Sequence, residues 1–233
     1  MPTIDPSRNY QDDAKRVFNC LQDGGIAIVY MDVAYAIMSG SEEALHRVYK
    51  AKKRSIDKPS GVVANLRTHD EVQLLSDEAK HIVRTIVTKH DLPLSVIAPY
   101  RNDHPLMKQL TPFLTGLATK DDTVNFLLNA GPLRDHIAEF SLEHSLPLIA
   151  SSANISQRGT KYRAEDIEPE IRAAADVIID YGPSTYMENG LKGDFNFSST
   201  QIDFRTMRLV RKGICFDSIC AVLENEFGIT LNE

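Results

Sequence analysis

The sequence predicts a single α/β domain built on a twisted mixed β-sheet flanked by helices. Three observations carry that prediction. Uninterrupted β-branched segments alternate with amphipathic helical stretches along most of the chain. Two strand-like segments, 198–203 and 207–213, follow one another directly, which breaks a strict βαβ rhythm and favours mixed pairing over a parallel sheet. No linker-like stretch divides the 233 residues, a length that one large domain can fill.

Each element has its own signal. Residues 11–21 read as a short helix stopped by Gly24 and Gly25, and "IAIVY" (26–30) as a buried strand. Ser39 and Glu42 stand at capping-box spacing, opening a helix whose apolar stripe is Leu45, Val48 and Tyr49. That helix runs into "YKAKKRSIDKPSG" (49–61), whose cations suit the negative end of a helix dipole. "GVVANL" (61–66) and "PLSVIAP" (93–99) read as strands, with a helix striped by Ala79, Ile82, Val83, Ile86 and Val87 between them. Leu133, Ile137 and Phe140 predict a helix leading into the strand "LPLIAS" (146–151). Ala164, Ile167, Ile171 and Ala174 predict another before the strand "DVIID" (176–180), and Phe216, Ile219, Cys220, Leu223 and Phe227 a closing amphipathic helix. The turn-rich stretch 182–199 reads equally as a lid or as a plain surface excursion.

Composition narrows the function. Hydrophobic residues at 42% and charged residues at 25% describe an ordinary globular protein. A formal charge of −6 argues against bulk, non-specific nucleic-acid binding, so any phosphate contact must come from a local basic patch. Cys20, Cys215 and Cys220 form no C-x-x-C pair, which disfavours a disulfide framework or a structural zinc site. The N-terminus lacks a signal-peptide core and no run approaches ~18 apolar residues, so the expectation is a cytoplasmic protein without a membrane partner.

The common nucleotide and hydrolase motifs are absent: no G-x-x-x-x-G-K-[ST], G-x-G-x-x-G, G-x-S-x-G or H-E-x-x-H. The seven histidines show no metal-ligand spacing, and no protein metal site is expected. Three constellations remain. Lys52, Arg54 and Lys58 join a guanidinium fork to mobile ammonium charges, a good grip on phosphate oxygens, though alone such a run also describes a solvated helix end. "SSANIS" (151–156) follows a buried strand at the rim where α/β ligands sit, and the same letters make an ordinary cap and turn. Ser199-Thr200 precedes Arg211-Lys212-Gly213.

Their order is more informative than any one of them. A Gly-Gly strand is followed by Asp32 and Tyr35, then Lys52-x-Arg54-x-x-x-Lys58-Pro59. Pro93-Leu94-Ser95, Ser152-Ala153-Asn154-x-Ser156, Ser199-Thr200-x-x-Asp203 and Arg211-x-Gly213 complete the series. This series resembles the YrdC-like family, which contains the threonylcarbamoyl-AMP synthases, and the resemblance spans residues 12–228 with 1–11 as an N-terminal tail. It implies a twisted mixed sheet around a deep, positively lined concavity. It also implies ATP, bicarbonate and an amino acid (L-threonine or another) as substrates, with pyrophosphate and threonylcarbamoyl-AMP as products for tRNA modification. Magnesium would travel with the triphosphate. By position, Lys52, Arg54, Lys58, Ser152, Asn154, Thr160 and Arg211 fall on the nucleotide side. A non-catalytic nucleotide- or RNA-binding module of the same fold, or a hydrolase of an adenylylated product, would use the same phosphate grip.

On the acceptor side the sequence departs from the family. Its P-T-[DE]-T-x-Y-G-L reads "YMDVAYAI" (30–37): Asp32 and Tyr35 match, but Met31 and Val33 stand where the resemblance implies threonines. Val63 aligns with a family histidine, and Leu127 with the arginine suited to a substrate carboxylate. Ser199 alone remains of the other amino-acid-facing positions. The expectation is a chain that keeps the nucleotide grip while its acceptor pocket, around Asp32, Val33, Tyr35, Val63 and Ser199, no longer suits free L-threonine.

Overall fold

The computed structural model describes residue 5 and residues 7–188 and 198–232. Helix α1 (Tyr10–Gln22) is capped by Asn9 and buries Ala14, Val17, Phe18 and Leu21, the i, i+3, i+4, i+7 stripe of a helix lying on a core. It starts inside the expected tail, and Arg8 just ahead of it already donates to the Tyr181 carbonyl at 2.9 Å. Strand β1 (Ala27–Val29) follows, fully buried. Strand β2 (Ala36–Ser39) has no counterpart in the sequence-based expectations and pairs antiparallel with β1. Helix α2 (Glu42–Ala51) is capped by Ser41 rather than Ser39. Ser39 still belongs to β2, where its hydroxyl donates to the Gly25 carbonyl at 2.8 Å, so only Ser41 is free to accept from Ala44 N–H.

Strand β3 (Gly61–Val63) ends sooner than expected because Asn65 caps a short helix α3 (Leu66–Val72). Helix α4 (Asp77–Arg84) runs on through a π-helical turn, Thr85–Lys89, into β4 (Leu94–Pro99). Short helices α5 (Pro105–Lys108) and α6 (Pro112–Ala118) lead to β5 (Thr119–Lys120) and the hairpin strand β6 (Thr123–Leu128). Helix α7 (Pro132–Glu143) matches its apolar periodicity, and β7 (Ile149–Ser152) begins three residues later than the expected strand. The helix expected over 164–174 is broken into a 3₁₀ turn, Ala164–Asp166, and one turn of α8 (Pro169–Arg172). Pro169 lacks an N–H and holds Glu168 extended, which prevents a continuous helix. Strand β8 (Val177–Ile179), the turn α9 (Thr185–Glu188), the adjacent strands β9 (Gln201–Asp203) and β10 (Arg208–Arg211), and helix α10 (Phe216–Phe227) complete the chain.

One mixed, open sheet runs in the order β10-β9-β4-β6-β3-β7-β2-β1-β8, with β5 alongside β6. The pairs β1/β8, β3/β6 and β4/β9 are parallel and the others antiparallel. Period-two alternation gives the sheet two different faces. On β6, Val124, Phe126 and Leu128 belong to the hydrophobic core, over which α1 and α7 pack. The intervening Thr123, Asn125 and Leu127 line a cavity. Strand β4 behaves alike, with Val96 and Ala98 in the core and Ser95 and Ile97 at the cavity. Among the described residues no helix is long and apolar enough to cross a membrane.

Candidate functional site

The cavity, about 430 Å³, gathers residues from both ends of the chain. Arg54, Lys120, Arg134, Arg205, Arg208 and Arg211 line it, with Asp121 and Asp203 as acidic neighbours. Asp203 is bound by Arg205 at 2.7 Å, which holds its carboxyl below the usual range and occupies both charges.

The basic cluster divides three ways. Arg54 lines the cavity; its Nη2 donates to the Pro59 carbonyl at 2.7 Å, its guanidinium lies 5.7 Å from the Tyr49 ring centre, and its buried Nε has no partner among the described residues. Lys52 is 1% exposed, and its ammonium donates to the carbonyls of Ser152 and of Asn154, the latter at 2.7 Å. Burial, with the Arg54 charge second, brings its pKa down to about 7. Lys52 therefore lies beneath the Ser152–Asn154 turn and not among the lining residues. Lys58 is exposed and also off the cavity, while its carbonyl accepts from the Tyr49 hydroxyl at 3.2 Å.

The turn that Lys52 supports is tightly bonded. Ser152 Oγ donates to Asn154 Oδ1, Asn154 Nδ2 donates to the Ile155 carbonyl at 2.7 Å, and Ala153 N–H donates to the Tyr35 carbonyl at 2.9 Å. Ser152 and Thr160 line the cavity, whereas Asn154 is buried behind them. Across the sheet, the hydroxyls of Ser95 and Ser199 lie 2.7 Å apart, and Arg211 donates to the Ser199 carbonyl from Nε at 3.1 Å and Nη2 at 2.9 Å. Gly213 makes that approach possible: a Cβ there would fall 2.3 Å from the Ser198 carbonyl oxygen and 2.5 Å from the Ser199 carbonyl carbon.

On the acceptor side, Met31, Tyr35 and Ser199 line the cavity, while Asp32, Val33 and Val63 do not. Val33 and Val63 are fully buried in the core. The Asp32 carboxylate turns inward to the Tyr30 hydroxyl at 3.2 Å and the Thr185 hydroxyl at 3.0 Å, and burial pushes its pKa up. It also fills the space that a Cβ on Gly131 would need, at 2.9 Å from Asp32 Cγ, and Gly131 has a φ of +111°. The Tyr35 hydroxyl is 2.5 Å from Asp180 Oδ1 and 2.7 Å from the Gly182 carbonyl; burial and that carboxylate push its pKa far up. Half of the 182–199 stretch expected as lid or excursion, residues 189–197, lies outside the described residues.

Two lining residues that carry unpartnered buried polar atoms among the described residues were absent from the sequence-based set. Arg134, in the first turn of α7, is 2% exposed; its Nη1 donates to the carbonyls of Ala64 at 2.6 Å and Leu127 at 2.5 Å. Burial brings its pKa down to about 10, and its Nε has no partner among the described residues. Asn125, on β6, has a buried Oδ1 likewise without a partner. One signal was available in the sequence: Arg134 stands at i, i+4, i+7 with Ala138 and Ser141, a charge on the buried stripe of a helix.

The family model described as Telomere recombination (Sua5, YciO, YrdC) matches residues 19–190. A curated protein of Methanocaldococcus jannaschii, provisionally named threonylcarbamoyl-AMP synthase, is 26% identical over 76% of this chain and 79% of its own length. A hypothetical protein of Streptococcus mutans UA159 (smu.1377c) superposes with a TM-score of 0.78 at 20% identity, covering 94% of this chain and 93% of that one. P. abyssi Sua5 complexed with L-threonine gives a TM-score of 0.62 at 19% identity, over 83% of this chain and 51% of that one. At these identities the structural likenesses show the fold alone.

Proposed function

The chain belongs to the Sua5/YciO/YrdC family, and from that premise we propose that it is an ATP-binding nucleotidyltransferase of the threonylcarbamoyl-AMP synthase type with an altered acceptor pocket. The observation that carries this reading is convergence. Arg54, Ser152, Thr160 and Arg211 line one cavity, beside Met31 and Leu127 where the family pattern implies a hydroxyl and a guanidinium. The related function of the M. jannaschii protein and the L-threonine held by P. abyssi Sua5 support the same class of reaction.

In that reaction an amine and bicarbonate give a carbamate and water. A carbamate oxygen then attacks the α-phosphorus of ATP, the bond to the bridging oxygen breaks, and pyrophosphate leaves. Arg54 and Arg211 would hold the phosphate oxygens as fixed donors, stabilising charge on the leaving group. Ser152 and Thr160 add neutral donors at the rim. Among the described residues no group of three His, Cys, Asp or Glu side chains is arranged to hold a metal. Magnesium therefore fits here as an ion carried by the triphosphate through its oxygens and water, where it would neutralise phosphate charge. The cytoplasm is the proposed setting and tRNA adenosine the proposed final acceptor.

Pyrophosphate release from ATP, magnesium and bicarbonate, scanned across amino acids, tests the proposal. Release with an amino acid other than threonine is the expected result. No release with any, together with salt-sensitive RNA binding, would replace the enzyme with a non-catalytic RNA-binding module.

A further inference from the structure

The phosphate chemistry leaves Arg134 and Asn125 unused. Arg134 is buried, with the carboxylate of its sequence neighbour Asp135 acting on it, yet it makes no ion pair and its Nε has no partner among the described residues. An incompletely neutralised buried cation is unfavourable, and an anion in the adjoining cavity would relieve it. Asn125 lines the same cavity with a buried acceptor oxygen that accepts from none of the described residues. Such orphaned groups are rare in folded proteins, and here three share one cavity: Nε of Arg54 on the phosphate side, and the donor of Arg134 and the acceptor of Asn125 away from it.

Their spacing limits what could join them. Arg134 Nη1 is anchored on the Leu127 carbonyl, two residues along β6 from Asn125. Two strand residues span roughly 7 Å, a gap that two hydrogen bonds and a short carbon unit can bridge. Leu127, at the Arg134 end of that gap, turns its apolar side chain to the cavity, and Met31 lines the same cavity. We infer that Arg134 takes the carboxylate of the acceptor and Asn125 accepts an N–H from its amine, so that the acceptor is a small α-amino acid with an aliphatic side chain. The inference rests on the nucleotidyltransferase reading for its chemistry: carbamate formation leaves one N–H on the nitrogen, so the bond to Asn125 survives the step.

Calorimetric titration of the full chain with L-valine, L-threonine, isobutylamine (valine without its carboxylate) and isovalerate (valine without its amine) tests it. Valine should bind about tenfold or more tighter than either truncated analogue, since each loses a hydrogen bond involving a charged group, and at least as tightly as threonine. Arg134→Gln should bring the valine-to-isobutylamine ratio close to one, and Asn125→Ala the valine-to-isovalerate ratio. A merely structural Arg134 would weaken all four ligands together. If the Gln variant melts early, Arg134→Lys, which keeps the charge, should give an intermediate ratio. Failure of every ligand to bind, equal binding of valine and isobutylamine, or unchanged ratios in the variants would overturn the inference. Pyrophosphate release followed in parallel separates the two readings. Ligand preferences as expected without release remove the enzyme and leave the pocket assignment, whereas release without dependence on the carboxylate removes only the pocket assignment.

Discussion

Replacing Lys52 by methionine keeps a long apolar stem under the Ser152–Asn154 turn and removes the ammonium. The structure fixes what this should do to stability as pH changes. The ordinary lysine pKa of 10.5 falls to about 7 in the fold, chiefly through burial at 1% exposure. Between those values the unfolded chain holds a proton that the folded chain has released. Stability therefore rises with pH across that window, at ~1.4 kcal/mol per unit once the folded group is fully deprotonated. From pH 6.5 to 9 wild-type should gain roughly 2 to 3 kcal/mol relative to Lys52→Met. The absolute difference at neutral pH is less informative. The variant escapes the desolvation penalty but strands the carbonyls of Ser152 and Asn154, at ~1–3 kcal/mol for each buried orphan. Urea unfolding of both proteins, followed by circular dichroism at pH 6.5, 7, 8 and 9, gives the two curves. Parallel curves would refute the reasoning, because they would mean that the ammonium keeps its ordinary pKa and is not held beneath the turn.

The other predictions concern the cavity and its frame. Arg54→Ala should weaken ATP binding about 10- to 100-fold, the worth of a charged hydrogen bond, with little change in melting temperature because among the described residues its guanidinium bonds only the exposed Lys58 and Pro59 carbonyls, besides lying near the Tyr49 ring; calorimetric affinity within threefold of wild-type would remove Arg54 from the site. Gly213→Ala would press a Cβ on the backbone of Ser198 and Ser199. It should destabilise the fold by ~1–3 kcal/mol in a thermal melt and loosen the Ser199–Arg211 contact, seen as weaker ATP binding. The two acceptor-side reversions should now behave differently. Met31→Thr exposes a hydroxyl to the cavity and should raise L-threonine affinity in a titration. Val33→Thr buries one in the core, with ~1–3 kcal/mol lost in the melt and no gain in affinity.

Much of the fold was legible because it is local. The stripe Leu45, Val48 and Tyr49 of α2 and the apolar runs of 26–30 and 93–99 are local patterns that chain geometry imposes on segments with buried faces. Misses arose where a neighbour overrode the local signal. Ser39 has the right spacing for a cap, but β2 claims it through pairing and a bond to Gly25. Strand β6 went unrecognised because Asn125, a residue disfavoured in strands, interrupts its apolar run, and only the cavity it faces accounts for it there.

The site divides in the same way. The order of short motifs, from the basic cluster through Ser152-Ala153-Asn154 to Arg211-x-Gly213, is a property of the sequence, and it pointed to the family without any coordinates. Sequence could not say which member of "KKRSIDK" meets the cavity. Lys52, Arg54 and Lys58 are alike as letters, and the destination of each is set by groups far along the chain. Lys52 is drawn under residues 152 and 154 because two carbonyls there need a donor. Arg54 is left facing the cavity, and Lys58 stays in water. Arg134 is the converse case, an arginine in an ordinary helical turn that becomes part of the site only because β3 and β6 end where its guanidinium can reach their carbonyls. Hydrophobic periodicity is written residue by residue, whereas the environment of a charge depends on what long-range packing brings beside it.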